Sequence, residues 1–234
     1  MRKNTIANPD PAKVISRASE CLRRLMEIGL SYEDLQTPID DPEMRQRLVR
    51  YWQSNCVAAT DIRSIQLSRL IQLGYAKAAG LSKDAFAKLI PVPENKENAL
   101  LVIPANIISI DKQMELVGGR NYLDLNSLKD TVLTPDRPYW IYGVENGKKM
   151  LGQSPDVCVK DFAKQSRRGL TVVEGINLVA QYPDLLKDHY IDLPGSRYDA
   201  NNVPYLLLVD GRPRLGYYFS GHASSHCGSA SCGS

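Results

Sequence analysis

The chain has 234 residues, 43% of them hydrophobic, with 29 Lys and Arg against 26 Asp and Glu and a net charge of +3. That length can bury one large core or two modest ones, and acidic and basic residues alternate rather than form blocks, so charge leaves no nucleic-acid footprint. The most apolar stretch, "ALLVIPANIISI", is shorter than the roughly 18–20 residues of a membrane span and carries Pro104 and Asn106, so no membrane partner is expected.

The amino terminus "MRKNTIANPDP" lacks an apolar export signal, which makes a cytoplasmic location the expectation. "DPAKVISRASECLRRLMEIGL" reads as a helix, with Asp10 as cap, Pro11 at the first helical position and Gly29 as stop. "DPEMRQRLVRYWQSN" repeats the start with Asp41 and Pro42. A third helix is expected from about Thr60 to Leu73, closed by Gly74, and Ser82 caps a fourth. The stretches from Leu22 and from Leu67 echo one another as helix, glycine stop and serine-led helix.

Beyond Pro91 the proline-rich "PVPENKEN" marks a change of character, and a boundary is expected there between a helical region, 1–92, and an α+β domain, 93–234. "ALLVIPANIISI" and "RPYWIYGVENGKKML" are strand-length apolar runs, the second with a hairpin-type Asn146-Gly147 turn. "SPDVCVKDFAKQSRRG" predicts a helix with Ser154 as cap, Pro155 at its first position and basic residues in its last turn. In "TVVEGINLVAQYP", Thr171 and Glu174 stand in capping-box register and Val172, Ile176, Val179 and Ala180 share a face. "VPYLLLVDGRPRLGYYFSG" predicts a hairpin over Pro204–Ser220 about Asp210-Gly211. This order gives an α+β class: a helical amino-terminal region, then an antiparallel sheet with flanking helices.

The blocks "LIQLGYAKAAGLSKDAF", "LTVVEGINLVAQYPDLL", "GSRYDANNVPYLLLVDGRPRLGYYFSG" and the closing "GSASC" resemble a family of uncharacterised, chiefly actinobacterial proteins known as a domain of unknown function, over about residues 65–234. Gly228 to Cys232 fall on the pattern of that family, whereas His222, His226 and Cys227 do not. The resemblance implies fold boundaries and no activity.

Four chemistries are open to these residues. His222, His226, Cys227 and Cys232 supply zinc-type ligands, but adjacent His226 and Cys227 would have to reach one ion from a single segment, so no metal and no cofactor is expected. Cys232 is a candidate thiol nucleophile if a neighbour lowers its pKa; no hydrolase elbow, P-loop or zinc-protease motif accompanies it. Ala76, Gly80, Leu81, Phe86 and Ile90 stand at helix-turn-helix offsets, the basis of a DNA-associated alternative over 76–90. The second helix, however, offers only Lys83 and Lys88 beside Asp84, so a nucleic-acid partner is not expected. Finally, Arg197 and Arg214, with Ser229, Ser231 and Cys232 of a tail lying against the last strand, would form a shallow cleft for a small polar or anionic ligand or a protein partner. The five cysteines, Cys21, Cys56, Cys158, Cys227 and Cys232, are expected as free thiols.

Overall fold

The computed structural model describes residues 62–94 and 98–233, with the isolated positions Ser31, Asp41, Glu43 and Gln46. The chain divides into two compact units, Met1–Thr60 and Asp61–Ser234. Apart from those isolated positions, the helices expected from Asp10 and Asp41, the first copy of the echo, and Cys21 and Cys56 lie outside the described residues. Pro91, at the expected boundary, runs inside the second unit, whose fold is α+β.

That unit begins with α1 (Ile62–Leu73), which stops at Gly74, where φ is +93°. One turn, α2 (Tyr75–Ala78), and a seven-residue α3 (Lys83–Leu89) follow, the latter capped by Ser82, whose Oγ accepts from Ala85 N. The helix-turn-helix offsets are therefore real, and their apolar members serve a core: Ala76, Phe86 and Ile90 are buried with Leu67, Leu70, Leu101, Ile103 and Trp140. Arg63 closes α3 by donating to Ala87 O at 2.7 Å and Ile90 O at 2.9 Å. Lys83, Asp84 and Lys88 remain exposed.

Strand β1 (Leu100–Val102) leads to α4 (Ile110–Leu116), β2 (Arg120–Asn121), β3 (Lys129–Asp130) and β4 (Tyr139–Ile141). β1 and β4 pair antiparallel. Amide side chains act as a surrogate strand along the other edge of β1. Gln66 accepts from Leu101 N and donates to Ala99 O, both at 2.7 Å, and Asn177 accepts from Ile103 N at 3.2 Å. Buried backbone groups are thereby satisfied without a third strand.

The expected hairpin turn at Asn146-Gly147 is not one. The partner of β4 is β1, and Gly147, at φ +93°, opens a 3-10 turn over Lys148–Met150. Helix α5 (Pro155–Lys164) also ends earlier than its sequence suggests. Ser166 takes a left-handed φ of 52°, and Arg167–Gly169 becomes strand β5 rather than a basic last turn. α6 (Val172–Gln181) has the expected capping box and is buried along nearly its whole length, so it is the central core helix rather than a one-faced one.

After α7 (Leu185–Asp188) come β6 (Tyr190–Asp192), β7 (Ser196–Arg197), β8 (Asn202–Val209), β9 (Arg212–Phe219), β10 (Cys227–Ser229) and β11 (Ser231–Gly233). The β8–β9 hairpin turns through Asp210 (φ 51°) and Gly211 (φ 71°), the paired positive values a tight two-residue turn demands. The main sheet runs β10-β6-β8-β9-β2, with β10 and β2 parallel to their neighbours. Ile191, Leu206 and Leu215 form one register row in the core with Ile176 and Val179 of α6.

The tail is docked, though not where expected. Instead of lying against β9, the closing segment puts β10 on the free edge of β6 and pairs β11 antiparallel with β5. No helix among the described residues is long and apolar enough to cross a membrane.

Candidate functional site

Glycine contact sets the path of the tail. A Cβ on Gly228 would lie 2.1 Å from Gly147 O, and one on Gly147 would lie 2.3 Å from Gly228 O, so the two backbones cross at a distance that excludes any side chain. Beyond the crossing, Ala230 N donates to Asp192 O, Ser231 N to Glu145 O and Gly233 N to Tyr142 O, each at 3.0 Å. Residues 227–232 are all buried.

Alternation along the tail then sorts the side chains. Ser229 and Ser231 line a cavity of about 90 Å³ with Glu145, Gly147, Lys149, Met150, Gln165 and Arg167. Arg167 donates to Ser231 Oγ from Nε at 3.1 Å and from Nη2 at 2.9 Å, and Nη2 also reaches Gly143 O at 2.8 Å. Glu145 is held by Lys149 at 2.8 Å. Since Ser231 Oγ accepts from Arg167, its hydroxyl proton stays available for donation. Ser229 is 1% exposed, and no well-aligned hydrogen bond reaches its Oγ, although the Asp192 carboxyl and the Cys158 thiol stand near enough for it to act on both.

Behind Ser229 lies Asp192, fully buried, its Oδ1 accepting from Tyr218 Oη at 2.8 Å and its Oδ2 unpartnered. Burial pushes its carboxyl up to about 7, against the downward pull of Tyr218 and Ser229. The Ser229 hydroxyl lies close enough to act on Asp192 without forming a well-aligned bond to it. Cys158 of α5 and Cys227 are the neighbouring thiols, both raised chiefly by burial.

Cys232 points the other way, into the core. It is 0% exposed, and burial pushes its thiol up to about 11 despite the nearby Arg168 and Arg167, which leaves almost no thiolate at neutral pH. The thiol-nucleophile reading therefore lacks its reactive species. Arg168 pairs with buried Glu174 through two bonds of 2.8 and 2.6 Å, and Tyr139 Oη and Thr171 N also donate to that carboxylate. Burial opposes the charge of Arg168; the hydrogen bond and charge of Glu174 outweigh it, so the guanidinium is held more firmly protonated than usual.

The remaining expected site residues part company. Arg197 meets Asp156 at 3.4 Å, and Asp156 also accepts from Ser220 Oγ at 2.9 Å. Arg214 lies 3.5 Å from Asp210 and over the Tyr122 ring at 5.5 Å. His222 packs edge-on to Tyr218 and His226 tilts toward Tyr190; among the described residues no group of three or more His, Cys, Asp or Glu is placed to hold a metal ion. So the structure brings Ser229 and Ser231 together, and it joins to them Arg167, Lys149, Gln165 and Asp192, which sequence reasoning missed. Asp192 had one signal, a carboxylate inside the apolar run "YIDLPG". A larger concavity of about 810 Å³ lies between Asn98–Leu100, Val144–Asn146 and residues 178–188, but among the described residues none with an orphaned buried polar atom lines it.

A model described as a family of unknown function (DUF5701) matches residues 69–234, a span that includes β5 and the whole tail. No curated protein and no solved structure matches the chain.

Proposed function

The chain belongs to this family of unknown function, and we propose that it binds a small monoanionic oxyanion, a carboxylate above all, in the cavity between β5, β10 and β11. The observation that carries the reading is the Ser229 hydroxyl, buried, without a well-aligned hydrogen bond, on a residue that lines a cavity beside a guanidinium. Arg167 and Lys149 against Glu145 leave one net positive charge around that space, which matches one carboxylate, and the proton of Ser231 supplies a second hydroxyl donor. A cavity of about 90 Å³ admits a ligand of a few heavy atoms. Ligand donation by Ser229 would also relieve a buried unsatisfied group, which is a source of affinity as well as of specificity.

Titration calorimetry with formate, acetate and propionate tests this. Saturable binding to the wild-type chain is expected, weakened at least about tenfold by Lys149→Gln or Ser231→Ala, since a hydrogen bond to a charged group is worth roughly 1.5–3 kcal/mol. Lys149 is 75% exposed, so its loss leaves the fold intact. Absence of saturable heat with all three anions, or binding indifferent to both variants, overturns the proposal.

A further inference from the structure

At the β2 edge of the main sheet, away from the tail, a cavity of about 330 Å³ is lined by Arg120, Tyr122, Asp210, Arg212 and Arg214, with Val209 and Pro213. Arg120 and Arg214 are direct partners on adjacent strands, and Arg212 precedes Arg214 by two positions on the same face of β9. Like charges placed directly across a sheet repel. Only Asp210 opposes them within the lining, and its side chain is 88% exposed, so solvent screens what it supplies. The guanidinium of Arg214 nevertheless lies over the Tyr122 ring at 5.5 Å, with Asp210 at 3.5 Å from Nη2 as its one carboxylate contact.

The geometry points to a second ligand site, one that takes a phosphate monoester dianion. Three guanidiniums against one carboxylate leave a net charge of +2 around the cavity, twice that of the tail pocket and equal in size to the charge of a phosphomonoester near neutral pH. Guanidinium forks match phosphate oxygens bidentately, which lysines do not, and every cation lining this cavity is an arginine. The volume exceeds what a bare phosphate fills, so room is left for a small organic group beside Tyr122, which is 55% exposed. A nucleic-acid backbone is less well matched, because the arginines surround one cavity rather than tracking along a face.

Inorganic phosphate and phenyl phosphate, titrated into the full chain at pH 7.5 and followed by calorimetry, test the assignment. One site per chain is expected, with phenyl phosphate the tighter ligand. Arg120→Gln or Arg212→Gln should weaken it at least about tenfold. Both side chains are exposed, so the variants fold. Lys149→Gln, in the tail pocket, and Arg137→Gln, an exposed arginine elsewhere, should leave it unchanged, which separates this site from the carboxylate pocket. No saturable binding of either phosphate, equal weakening by Arg137→Gln, or salt-sensitive binding of duplex DNA without phosphate binding overturns the assignment.

Discussion

Ser229 and Asp192 stand directly opposite one another on the parallel strands β10 and β6, and each keeps an oxygen without a partner. The Ser229 hydroxyl therefore has a carboxylate within its reach on a residue that also lines the cavity. When Asp192 is ionised it competes for the Ser229 proton and repels an anion; when it is protonated it does neither.

This relationship fixes a pH dependence. Asp192 is faced by Tyr218 of β9, Tyr205 of β8, Ser229 and Cys227 of β10 and Cys158 of α5; burial above all raises both tyrosines and both thiols, with the charge of Asp192 adding to it, so none of them titrates near neutrality. With its carboxyl at about 7, acetate affinity should rise as pH falls from 8 to 6, and Asp192→Asn should abolish that slope. Stability follows the same sign. The folded pKa lies above the ordinary carboxylate value, so the folded state holds the extra proton and stability declines as pH rises from about 4 through about 7, then levels off. Thermal melts should show that decline in the wild type and a flatter profile in Asp192→Asn.

The Gly147–Gly228 crossing predicts a sharp contrast between glycines. Gly228→Ala drives a methyl group into a backbone carbonyl, and a loss of about 1–3 kcal/mol or more is expected, with detachment of the tail. Gly80→Ala meets nothing within 4 Å and should cost only about 1 kcal/mol, for its left-handed φ. Denaturant unfolding of the two variants checks the order.

Removing Glu174 leaves Arg168 partly buried without its counter-charge. Glu174→Gln should destabilise the chain by roughly 3 kcal/mol, and because Arg168 is the strand partner of Cys232, hydrogen exchange at β11 should rise with it. Unchanged exchange there would separate the ion pair from the docking of the tail.

Thiol chemistry gives an independent check. Cys158, Cys227 and Cys232 are buried with raised pKa values, so native protein at pH 7.5 should resist iodoacetamide at all three, and Gly228→Ala should expose Cys227 and Cys232 first. Peptide mass spectrometry reads the outcome.

What the sequence discloses follows how local each signal is. The Asp210-Gly211 hairpin, the Thr171/Glu174 box, the Ser82 cap and the Gly74 stop each depend on residues within a few positions, and all four stand in the structure. β5 was hidden because Arg167 and Arg168 satisfy the rule for a basic helix end equally well; only the distant partners Ser231 and Glu174 make them a strand. The parallel docking of β10 on β6 leaves no local trace either, and the Asn146-Gly147 turn signal was genuine but served a crossing with Gly228 rather than a hairpin. The sequence names Ser229 and Ser231 as candidates; the presence of Arg167 and Asp192 beside them needs the fold.

The central claim is that an anion sits against the Ser229 hydroxyl, and amide NMR on the ¹⁵N-labelled chain titrated with acetate at pH 6 tests it most directly. Saturable shifts concentrated at Gly147, Arg167 and Gly228–Ser231, and absent in Ser231→Ala, are the predicted result. Shifts scattered over exposed lysines, or none at the tail while the protein stays folded, would contradict it.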